Sequence, residues 1–148
     1  MAKITLDEID TMWDKDKNID YGNLESELIN IPTIHHRFYR ILVNERLILK
    51  NLNLEYDVML KDKREYYVYG PVTKPKDTDV KKLPRGAVLK TEAALYVNAD
   101  DDIIFLSKKI AEQEQKVEYL NEIIKQINSR NFIIKEISTL IRFKEGVR

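Results

Sequence analysis

Nine consecutive residues carry the chemistry in this chain: Lys61-Asp62-Lys63-Arg64-Glu65-Tyr66-Tyr67-Val68-Tyr69. Lys61, Lys63 and Arg64 supply positive charge. Tyr66, Tyr67 and Tyr69 supply ring faces. Cations answer phosphates, and rings stack on unpaired bases of any identity, so the mixture suits a single-stranded nucleic acid. The bland reading is a solvated helix end with tyrosines packed beneath it. Lys74, Lys76, Lys81, Lys82, Arg85 and Lys90 follow and extend the positive field. Residues 61–90 hold nine cations against four carboxylates, while the whole chain of 148 residues is neutral. A neutral protein with one basic segment can bind an anion there and keep its other faces repellent to it.

Other chemistries find no support. There is no cysteine, so no disulfide, thiol nucleophile or thiolate metal site. The four glycines are isolated and form no phosphate-cradling loop. His35 and His36 are adjacent, which puts them about 100° apart on a helix and makes them a poor metal pair. Asp100-Asp101-Asp102 reads as a helix N-cap cluster rather than a metal site, lacking Glu or His at ligand spacing. The expectation is a binding protein, not an enzyme, with no cofactor and no metal. No run of about 18 apolar residues is present to span a membrane.

The elements that position the basic stretch are helical. Thr5 and Glu8 form a capping box for a short helix whose Leu6, Ile9, Met12 and Trp13 share one face. Trp13 reads as the ring that docks this helix on the body. Asp20-Tyr21-Gly22-Asn23 is a turn, and Leu24–Ile31 a second short helix. Pro32 suits the first turn of a third, which runs unbroken to Tyr69. Its apolar positions 34, 38, 41, 42, 48, 49, 52, 56 and 59 mark one face, with Leu47, Leu54 and Leu60 widening the stripe. Glu45 interrupts that stripe and reads either as the partner of a cation across an interface or as a lone polar group that marks register. Residues 70–86 read as a long basic loop. Lys90–Val97 leans to helix, with Lys90 facing an anion or a carbonyl.

Residues 102–128 form the second long helix. Ile103, Leu106, Ile110, Val117, Leu120, Ile124 and Ile127 recur at alternating three and four spacings, broken at Gln113. Its natural mate is the helix over 32–69, in an antiparallel hairpin, or the same helix from another chain. Ser129-Arg130-Asn131-Phe132 reads as a break before a last helix. There Phe132, Ile133, Ile134, Ile137, Leu140, Ile141 and Phe143 exceed what one subunit's surface helix needs, and predict self-association, against the alternative of core packing within the subunit. The expected fold is therefore all-α. Two long helices form an antiparallel hairpin over 32–128, short helices occupy 1–31, and an oligomerisation helix occupies 129–148.

With these residues laid out, the chain resembles the UvsY family, recombination mediators of the T-even group of large tailed bacteriophages. The resemblance runs through Leu6–Asp16, Ile19-Asp20, Leu60-Lys61-x-Lys63-x-Glu65-Tyr66-Tyr67 with Gly70, Leu89-Lys90-Thr91 with Asp100-Asp101, Ser129-Arg130-x-Phe132-x-Ile134-Lys135, and Arg142-Phe143-Lys144-Glu145-Gly146. Asn131 stands where the family often has Gly, and Lys63 where an Arg can occur. The resemblance implies a helical subunit in a ring-like homo-hexamer or heptamer. It implies binding to single-stranded DNA, displacement of the phage single-strand-binding protein, and loading of a RecA-like recombinase in the cytoplasm of the infected bacterial host. The family's DNA-contacting pair falls on Lys61 and Lys63. Two rival readings stand beside it: a prefoldin-like helical-hairpin chaperone, and a recombinase-docking adaptor that never touches DNA.

Overall fold

The structure is a computed structural model and describes residues 3–70 and 89–146. Four helices follow in order: α1 (Leu6–Asp16), α2 (Leu24–Tyr69), α3 (Ala93–Asn98) and α4 (Asp101–Lys144). Among the described residues there is no strand, so the all-α expectation holds.

The helix ends follow local chemistry. Thr5 Oγ1 accepts from Glu8 N at 3.1 Å, and the Glu8 carboxylate accepts from Thr5 N, completing the capping box. Asn23 Oδ1 accepts from Ser26 N at 3.3 Å and caps α2. Gly70 ends α2 at φ 82°, a left-handed conformation that favours glycine, and its N–H donates to the Tyr66 carbonyl at 2.8 Å. Asp100 Oδ1 accepts from Asp102 N at 2.9 Å and caps α4.

Two breaks expected from the sequence are absent. Pro32 lies inside α2, so Leu24–Ile31 is no separate helix but the first two turns of a 46-residue one. Burial outweighs the hydrogen bond the proline ring removes. Likewise α4 runs unbroken through Ser129–Phe132 to Lys144. Asn131, unlike Gly, carries no large helix penalty, and Arg130 is held by tertiary contacts.

The chain divides into two compact units, Met1–Arg46 with Gln115–Arg148 and Leu47–Glu114, and both long helices contribute to each. In the first unit α1 lies on paired segments of α2 and α4. Ile9, Phe38, Leu42, Leu120, Ile123, Ile127 and Ile134 are buried there, each worth about 1.5–3 kcal/mol. Ile123 takes the core place that periodicity gives to Ile124, which is half-buried. The Trp13 ring meets Phe38 edge-on at 5.6 Å, so it docks α1 as expected. Arg130 lies 5.7 Å from the Trp13 centroid and donates to the Asp16 carbonyl at 2.6 Å, tying α4 to the end of α1. Tyr119 donates to Asp10, which pushes its hydroxyl up to about 12. Glu45 is fully buried, 3.4 Å from Lys116 Nζ of α4, which answers the cation expected for it.

In the second unit the end of α2 pairs with the start of α4, and α3 packs beside both. Leu52, Leu106 and Ile110 form one cluster; Tyr67, Ala93, Val97 and Ile103 form another. Leu47 and Leu54 are more than half exposed and lie off the stripe.

Candidate nucleic-acid interface

The basic stretch lies on the last turns of α2, in the second unit. A helix advances 100° per residue, so positions 61, 64, 65 and 68 share one face, whereas 63 and 67 share another. The structure divides the stretch along that line.

The first face opens onto a groove of about 730 Å³. Lys61, Arg64 and Glu65 stand on its α2 wall with Tyr69. Leu60, Val68, Ala94 and Val97 supply apolar lining, and Lys90 and Asn98 complete it. Lys61, Arg64, Tyr69 and Lys90 are all exposed. Lys90 Nζ lies 5.4 Å from the centroid of the Tyr69 ring, so among the described residues it meets a ring face, where its apolar neighbours suggest an anion or carbonyl. Here α3 matters. Its Ala93 and Val97 are buried against α2, and that docking brings Lys90, just upstream, alongside Tyr69.

The second face is turned to the protein. Lys63 Nζ donates to Asp102 Oδ2 at 2.7 Å and lies 3.5 Å from Asp100 Oδ1. Its side chain is 18% exposed. Burial works against its charge, but the hydrogen bond to Asp102 and the field of Asp100 outweigh that and raise its affinity for the proton. Tyr67 is 6% exposed and its hydroxyl donates to Asp100 Oδ2 at 2.6 Å. Burial and that carboxylate push the hydroxyl well above the ordinary phenol range. Tyr66 is half-buried, edge-on to Tyr67 at 5.4 Å.

Of the residues expected to face a strand, Lys61, Arg64 and Lys90 are brought together at one groove. Tyr67 and Lys63 are placed elsewhere. Tyr67 is a core residue whose hydroxyl meets a buried carboxylate. Lys63 is held by two aspartates of the α4 cap. Lys74, Lys76, Lys81, Lys82 and Arg85 lie outside the described residues. The sequence marks Asp100 as a cap alone. Its second task, binding Lys63 and Tyr67 across 33 residues or more of sequence, leaves no local signal.

The residues expected to mediate self-association lie on the last turns of α4, in the first unit. Phe132, Leu140 and Phe143 are 66%, 53% and 81% exposed. Ile133, Ile137 and Ile141 are half-buried, and Ile134 belongs to the core. Among the described residues no group of His, Cys, Asp and Glu is placed to hold a metal ion, and no helix is long and apolar enough to cross a membrane.

An all-α chain of long paired helices with a cationic, tyrosine-edged groove defines the class. Residues 12–147 match the family described as "Recombination, repair and ssDNA binding protein UvsY", and the chain belongs to that family. The fold is that of the bacteriophage T4 recombination mediator protein UvsY in three crystal lattices. Against lattice type IV the TM-score is 0.81 at 18% identity, over 95% of this chain and 99% of that one. Against type II it is 0.81 at 19%, over 97% and 100%. Against type I it is 0.78 at 19%, over 93% and 98%. No curated protein matches the chain in sequence.

Proposed function

We propose that this chain is a recombination mediator that binds single-stranded DNA through the groove between the end of α2 and α3, with Lys61, Arg64 and Lys90 taking phosphates. The observation that carries this is the groove itself: three exposed cations from two separate segments border one apolar-lined channel. Such a channel answers both halves of an unpaired strand, the charged backbone and the bare bases.

In this reading the subunits assemble as a ring-like homo-oligomer, a hexamer or heptamer, through Phe132, Leu140 and Phe143 of α4 and their neighbours Ile133, Ile137 and Ile141. Each groove binds weakly, and several on one strand bind tightly because each contact raises the effective concentration for the next. Spreading a strand over several grooves constrains it. That weakens the hold of the phage single-strand-binding protein and presents the strand to a RecA-like recombinase, in the host cytoplasm.

The test is titration of a fluorescent single-stranded oligonucleotide across a salt series. Affinity falls steeply with salt. Lys61→Ala, Arg64→Ala and Lys90→Ala each weaken binding and flatten the log–log slope, by about 0.7 for each phosphate no longer neutralised. No binding in dilute buffer, or a triple variant with the unaltered slope, overturns the reading. A prefoldin-like chaperone gives no binding at any salt.

A further inference from the structure

Phosphate binding does not explain the groove's lining. Cations on a plain helix surface satisfy a backbone. Here Leu60, Val68, Ala94 and Val97 lie between them, and Tyr69 stands at the edge with Lys90 5.4 Å from its ring centroid. Apolar side chains gain nothing from a phosphate. They gain from a flat, weakly hydrated ring that removes them from water. Glu65 and Asn98 add polar groups to the same lining.

We infer that the groove takes an unstacked nucleobase of the bound strand, seated on the apolar lining and against Tyr69, while Lys61, Arg64 and Lys90 hold the flanking phosphates. This rests on the reading of the groove as the strand's site and adds what part of the strand enters it. Charge complementarity fixes the occupant as a nucleotide: three cations border an apolar slot, and a nucleotide joins a flat ring to an anion. The consequence is selectivity. A base paired in a duplex cannot enter without leaving its stack, so the groove refuses duplex DNA on structural grounds rather than through charge, which duplex carries at higher density.

The ring that serves is Tyr69, not its neighbours. Tyr67 is closed in the core, and Tyr66 is half-buried against it. Tyr69 is 53% exposed at the last position of α2, immediately before the Gly70 cap. Because it is exposed, it can be replaced without opening the core.

The test compares two oligonucleotides of equal length and charge, one of normal composition and one with abasic sites throughout. The full chain binds the abasic strand at least fivefold more weakly, the low end of stacking one base on an aromatic ring, while both strands keep the same salt slope. Tyr69→Ala brings the two affinities together, and Tyr69→Phe preserves the gap. Equal affinity of the unsubstituted protein for both strands overturns the inference but leaves phosphate binding in place. A gap that survives in Tyr69→Ala also overturns it, by moving base recognition elsewhere. Failure to bind either strand overturns the reading of the groove itself.

Discussion

Lys61 and Lys63 stand two residues apart and do different work. Residues i and i+2 of a helix lie about 200° apart, so Lys61 and Lys63 leave α2 on opposite sides. Lys61 lines the groove, and Lys63 is held by Asp100 and Asp102. Lys63→Ala is therefore expected to act on the strand through the protein. Losing the bond to Asp102 costs about 1.5–3 kcal/mol, the range for a hydrogen bond between charged groups, and loosens the α4 cap beside the groove. Thermal midpoint and DNA affinity both fall, while the salt slope stays at the unsubstituted value. A slope reduced as far as in Lys61→Ala would show Lys63 touching phosphate after all. The identity of the basic stretch is legible because composition alone marks it. Its division between groove and protein interior is only half legible. Helical spacing separates 61 from 63, but which face is inward depends on the Asp100 carboxylate, far along the chain.

At the scale of elements, the caps are legible and the continuity of the long helices is not. Thr5 with Glu8, Asn23, Gly70 and Asp100 end helices by chemistry contained within a few residues. The same local rules predict breaks at Pro32 and over 129–132, and there tertiary packing prevails. After Pro32, Phe38 is buried against Trp13 of α1 and Leu42 and Glu45 are buried too, while Arg130 is tied to Asp16 and lies 3.9 Å from Glu27. A proline in the interior of α2 still carries its local penalty. Pro32→Ala is expected to stabilise the protein by up to about 3 kcal/mol, read as a raised denaturant midpoint with unchanged m-value. An unchanged or lowered midpoint would mean that the proline's shape serves the packing around α1. The short helix α3 is legible as a tendency only, since six residues give little periodicity, and its place beside Tyr69 is not legible at all.

At the scale of the whole molecule, the fold class follows from three-four spacing that resumes after Glu45 and Gln113, and it needs no long-range information. The number of copies does not follow, because self-association depends on how exposed side chains fit a surface on another chain. On the last turns of α4 three large apolar residues remain open: Phe132, Leu140 and Phe143. If the proposed assembly of five or more chains forms, a double variant, Phe132→Asp with Phe143→Asp, is expected to leave helicity intact and bring the mass in solution down toward that of one chain. It should also weaken binding to a long oligonucleotide far more than to a short one, because avidity is removed and the individual groove is not. An undiminished mass would place the self-association surface elsewhere.

One carboxylate joins three jobs. Asp100 starts α4, receives the Tyr67 hydroxyl and faces the Lys63 ammonium, all with two oxygens. Evolution can therefore tinker freely with the groove rim, where any cation of similar reach will do, and hardly at all with position 100. Glutamate is too long to start the helix in the same way, and asparagine forfeits the charge. Among descendants of this chain, the rim should drift while the aspartate behind it stands still.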